Sequence, residues 1–180
     1  VAYLGYDDKN LYVIFLCYDT ESDQIRARLV KREEIWGDDV VFLLLDTFHD
    51  ARRAYVLLAN PLGIQADFLA AEGQSDDMSF DTLWYSDGKR TPQGFVVRFA
   101  VPFRSLRFAD TSRQSWGLAV GRSIGRYDEQ SWWPAISQRL GNAIAQAATA
   151  TGLEHISPGR NLQFIPYGFF RSFRVLDPLG

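Results

Sequence analysis

The chain reads as an all-β protein: an antiparallel, jelly-roll-like β-sandwich with little helix. Three observations predict it. Short apolar or alternating runs recur along the 180 residues, separated by polar and Gly/Pro turn signals at close spacing. Aromatic residues make up 14% of the chain, a composition that suits the pleated surface of a sheet. Almost no segment carries the 3.6-residue periodicity of an amphipathic helix.

The elements follow in order. Residues 3–6 and 11–19 are two strands joined at the polar turn Asp7-Asp8-Lys9-Asn10. In residues 25–30, Ile25, Ala27 and Leu29 alternate with Arg26 and Arg28, as in a strand with one wet face. Residues 31–35 (KREEI) suit a single helical turn. Residues 40–45 are continuously apolar and β-rich, which predicts a strand buried on both faces; residues 54–59 repeat the pattern. Asn60-Pro61-Leu62-Gly63 is a turn, with Pro61 presetting φ and Gly63 free to take a positive φ, and residues 63–69 return as a strand. Residues 73–81 form an acidic loop. Residues 83–86 lead to Asp87-Gly88, a hairpin signal. Strands follow at 94–101, ended by Pro102, and at 116–122, with alternation running on to Arg126. The Ala-rich residues 139–151 suit either a helix or an extended connection, and residues 162–165 a last strand. The total is roughly nine or ten short strands, the pattern of a sandwich.

Composition narrows the function. The net charge is −3 with both signs interspersed, so no basic stripe exists for nucleic acid or for an anionic membrane surface. The single cysteine, Cys17, lies in the apolar run LYVIFLCY; it reads as a small core residue and excludes intrachain disulfides and zinc or iron–sulfur frameworks. No apolar run reaches the roughly 18 residues of a spanning helix. The chain begins at Val1 and ends soon after an aromatic-dense stretch (FIPYGFFRSFRV), which reads as a piece of a longer protein.

Three residue sets carry candidate chemistry. Trp84, Trp132 and Trp133 lie in or beside polar loops and Trp36 just precedes a strand, whereas Trp116 reads as core. An indole face stacks on the C–H faces of a sugar ring while polar neighbours bind hydroxyls. Asp38, Asp39, Asp46, Asp50, Asp76, Asp77 and Asp81 are carboxylates at strand ends and loops, of the kind that hold Ca²⁺, yet without D-x-D-x-D-G spacing. No spacing singles out two carboxylates facing each other, so a glycosidase is the least supported reading. His49 and His155 read as loop residues, and no G-x-S-x-G, H-E-x-x-H or G-x-G-x-x-G occurs.

The order YDDKNLYVIFLCYD, IWGDDVVFLLLDTFHDARRAYVLLANPLGIQAD, GFVVRFAVPFRSLRF, WGLAVGRSIGR and SWWP is similar to the family 9 carbohydrate-binding modules. It more closely resembles the family-9-like domain at the start of certain bacterial outer-membrane barrel proteins of unknown function. The likeness covers residues 1–134 as the sandwich core; residues 135–180 resemble a closing segment and a junction toward a C-terminal barrel. It implies a non-catalytic module that holds a xylan- or glucan-like chain between two Trp rings, in the periplasm or at the outer membrane. Trp36, in W-x-D-D, matches the first ring; Trp132 or Trp133 matches the second. Arg53 and Asn60 are candidate hydroxyl ligands, with Trp84 a further stacking candidate. No cofactor is required, but such modules carry structural Ca²⁺, for which Asp38 and Asp39 are candidate ligands. Phe42 stands where sugar-binding members have a hydroxyl-binding Glu, and this departure favours an alternative: a periplasmic structural or interaction domain that has lost sugar binding.

Overall fold

The computed structural model describes residues 1–159 and 166–172. Ten strands form two antiparallel sheets. The smaller has the order β1-β2-β7-β6, from Ala2–Tyr6 (β1), Asn10–Tyr18 (β2), Tyr85–Thr91 (β6) and Gly94–Pro102 (β7). The larger has the order β10-β8-β3-β4-β5, from Val40–Asp46 (β3), Arg53–Ala59 (β4), Gln65–Ala71 (β5), Arg113–Ile124 (β8) and Ala148–Glu154 (β10). The short strand Glu129–Trp133 (β9) pairs with the distal half of β8. The neighbours β2 and β7 of one sheet are followed in the chain by the neighbours β3 and β8 of the other, a jelly-roll-like crossing between layers.

Alternation sorts the residues. Leu11, Val13 and Phe15 of β2 and Phe95, Val97, Phe99 and Val101 of β7 face inward and meet Val41, Leu43 and Leu45 of β3. Trp116 lies at the centre of this core, edge-on to Phe103, with Cys17 packed at its margin. A second apolar layer lies on the outer face of the larger sheet, where Phe42 and Leu44 are covered by Val30, Ile35, Ile136 and Ile144. Every residue of β3 is buried, as its unbroken apolar run predicts.

Two expectations are corrected and two are refined. Residues 25–30 alternate but are not a strand. Their backbone is bound by side chains: the Arg26 and Arg28 N–H groups donate to Asp39 and Asp38, and Asn60 Nδ2 donates to the Arg28 carbonyl. Residues 31–35 make one turn, with the Glu34 N–H on the Lys31 carbonyl, and no helix, as expected of so short a segment. The Asp87-Gly88 pair lies inside β6, and the two-residue hairpin turn is Pro92-Gln93. Gly88 serves a close approach instead: a Cβ there would lie 2.6 Å from the Pro61 carbonyl oxygen. Within 139–151, two short 3₁₀ turns (Gln138–Leu140, Ile144–Gln146) lead into β10, so the Ala-rich stretch forms no α-helix and is extended only from Ala148 on. The expected strand at 162–165 lies outside the described residues.

Candidate functional site

The turn that carries Trp36 is built on a buried polar network. Asp38 Oδ1 accepts Arg28 Nε at 2.6 Å, and Asp38 Oδ2 accepts the Arg28 N–H and Asn60 Nδ2 at 3.1 and 3.0 Å. The Trp36 carbonyl accepts Arg28 Nη2 at 2.8 Å, and Gly37, at φ 87°, closes the turn. The network holds the backbone while leaving the Trp36 side of the turn open, with the residue 52% exposed.

The other predicted residues divide. Trp132 and Trp133, adjacent on β9, point to opposite faces. Trp132 falls in register with Gly121 of β8, which pairs with Phe42 of β3. Its ring packs on the Phe42 ring at 4.2 Å between centroids, in the outer apolar layer. Trp133 lies on the inter-sheet side at the strand margin, 60% exposed. Trp84 is 2% exposed and packs edge-on against Phe99; it is a core residue with no face for a ligand. Asn60 is fully buried: its amide donates to Asp38 and Arg28, and its carbonyl accepts the Leu62 and Ile64 N–H groups, so it shapes the β4–β5 turn. Arg53 is exposed at the far end of β4, six residues and about 20 Å along the strand from Ala59. It is not brought to the Trp36 turn.

Asp38 and Asp39 do not fit a calcium site. Asp39 is wholly buried and accepts Arg122 Nη2 at 3.1 Å and the Gly125 N–H at 3.2 Å, and Asp38 is filled as above. With arginines and N–H groups already on these oxygens, neither side chain offers the open, oxygen-rich cage Ca²⁺ needs. Among the described residues, Glu33, Asp67 and Asp81 also converge, but the Arg32 guanidinium pairs with all three.

A cleft of about 750 Å³ opens at the same end of the sandwich, between the end of β2, the β6–β7 turn and the β8–β9 hairpin. Its floor is an ion-pair lattice. Asp19 accepts Arg122 Nη2 at 2.6 Å and both terminal nitrogens of Arg126 at 2.8 and 3.1 Å. Arg122 lies over the Phe95 ring and Arg126 over the Tyr127 ring, at 5.0 and 4.6 Å from the ring centres. Glu21 accepts the Tyr127 hydroxyl and Arg126. Burial alone would raise the Asp19 carboxyl; the hydrogen bonds from Arg126, the Glu21 N–H and Arg122 outweigh it and hold the pKa at about 2. The same bond to Asp19 pushes the Arg126 pKa up, fixing its charge.

Sequence reasoning missed this cleft. Its residues come from three separate segments and no local motif joins them. The one local signal is the pair of arginines in VGRSIGRYD, of which Arg122 follows the inward apolar run Trp116, Leu118 and Val120.

No protein-family model matches the chain, and no curated protein matches it.

Proposed function

We propose that this domain is a non-catalytic carbohydrate-binding module of an exported protein, working in the periplasm beside an outer-membrane barrel. The observation that carries the reading is Trp36, a half-exposed indole on a turn fixed by a buried network. A rigid aromatic platform loses little entropy when a ligand stacks on it. Trp133 adds a second exposed indole on a different face of β9. The likeness to the family 9 modules supports xylan- or glucan-like chains as the ligand and a barrel as the covalent partner.

One observation favours the alternative, a structural or interaction domain. Phe42 and Trp132 pack on each other, so the position where a clamp would bind hydroxyls is filled by ring–ring contact. Stacking without placed polar groups gives weak, poorly discriminating binding.

Titration calorimetry and Trp fluorescence with xylobiose and cellobiose decide between them. The module reading expects heat and a fluorescence change at millimolar sugar, lost in Trp36→Ala. A folded wild-type protein with no response favours the structural reading. An unchanged response in Trp36→Ala removes Trp36 from the site.

A further inference from the structure

We propose that the cleft floored by Asp19, Arg122 and Arg126 is a second sugar subsite, which takes one neutral sugar unit of a longer chain through its vicinal hydroxyls. It rests on the carbohydrate reading, and it lies apart from the Trp36 turn.

Size, charge and chemistry define the ligand. The volume of about 750 Å³ lies within the range of small-molecule sites. Two guanidinium groups, Arg122 and Arg126, face three carboxylates, Asp19, Asp39 and Glu21. The balance is one negative charge, so an anionic ligand such as a phosphate or a uronate meets net repulsion. A metal cation fares no better, because both guanidinium groups stand among the carboxylates. A neutral polyol remains.

The walls supply what a polyol needs. Tyr18 and Tyr127 stand at the cleft, 67% and 57% exposed, with ring area for C–H faces. The exposed Thr20 hydroxyl and Gln93 carboxamide line the cleft with no hydrogen bond within the described residues. Half-exposed Glu21 keeps acceptor capacity beyond Tyr127 and Arg126. Donor and acceptor groups therefore point at solvent from a floor that the ion-pair lattice holds still, a pre-organised arrangement.

Position links the two sites. The Gly37 carbonyl oxygen abuts Gly125 of the β8–β9 hairpin, where an added Cβ would lie 2.5 Å from it. Arg126 and Tyr127, next along that hairpin, line the cleft. The turn that carries Trp36 and the hairpin that lines the cleft are thus in contact, at the same end of the sandwich.

The test compares cello- and xylo-disaccharides with the hexasaccharides by calorimetry on wild type, Gln93→Ala, Tyr127→Ala and Trp36→Ala. The hexasaccharide should bind wild type more tightly than the disaccharide. Gln93→Ala and Tyr127→Ala should each weaken hexasaccharide binding about tenfold and leave disaccharide binding unchanged. Gln93 is an exposed turn residue whose carboxamide makes no internal bond, and its backbone carbonyl, which accepts the Asp19 N–H, is kept in the variant, so Gln93→Ala should fold as wild type does, checked by an unchanged melting midpoint. Hexasaccharide affinity unchanged in both cleft variants overturns the subsite alone, with Trp36→Ala still reporting on the first site. A wild type that binds no sugar overturns both readings. Tighter binding of an oligogalacturonate than of the neutral chain overturns the neutral-sugar assignment.

Discussion

Gly121 decides what the outer face of the larger sheet becomes. It sits between Phe42 on β3 and Trp132 on β9, and with no side chain of its own it lets those two rings meet above it. A Cβ there would lie 2.1 Å from the Phe42 ring and 2.5 Å from the Ser131 carbonyl oxygen. Gly121→Ala should therefore cost about 2–4 kcal/mol, through a displaced ring and a strained β8–β9 pairing. Urea denaturation measures it; a loss below about 0.5 kcal/mol would mean that Phe42 moves aside freely. The same residues show what sequence reasoning captures and what it does not. That an aromatic ring stands at position 42 is plain from the order of residues after W-x-D-D. That this ring lands on Trp132 depends on a glycine some eighty positions further on, so no local pattern shows it.

At the scale of elements, alternation recovered β2–β5, β7 and β8 because each buries one face or both in a continuous core, and the turn at 7–10 recovered β1; β9 and β10 were not read as strands. Alternation failed where backbone partners are side chains. Residues 25–30 have strand-like alternation, yet Asp38, Asp39 and Asn60 take their hydrogen bonds in place of a neighbouring strand. Asp39 in particular joins this segment to the β8–β9 hairpin, since it also accepts Arg122 and the Gly125 N–H. It is wholly buried, and its removal leaves a guanidinium and two N–H groups short of an acceptor. Asp39→Ala should cost about 3–5 kcal/mol and loosen the hairpin that forms one wall of the cleft. Chemical denaturation gives the energy, and amide hydrogen exchange at 121–129 shows whether the loss is local. Full stability in Asp39→Ala would show that Asp19 alone suffices to hold Arg122. Asp87-Gly88 failed for a related reason: it has the composition of a turn, but Gly88 is there because another turn, at 60–63, presses against β6.

On the scale of the whole molecule, the ion-pair lattice ties the two layers together at one end. Asp19 follows β2 of the smaller sheet, while Arg122 and Arg126 belong to β8 and the hairpin of the larger. Its strength is pH-dependent with a definite sign. The Asp19 carboxyl titrates at about 2 in the folded protein against an ordinary value of 3.8, so the folded state binds its proton less readily than the unfolded state. The resulting stabilisation is complete above about pH 4, shrinks as pH falls through the interval from 3.8 to about 2, and is gone below it. Other carboxylates titrate in the same range, so the informative quantity is the difference in stability between wild type and Asp19→Asn. That difference should be constant from about pH 7 to about pH 5, then narrow steadily toward about pH 2. Urea midpoints at a series of pH values measure it. A gap that stays unchanged down to about pH 2 would mean that the Asp19 charge contributes nothing, and that the two sheets are held at this end by packing alone.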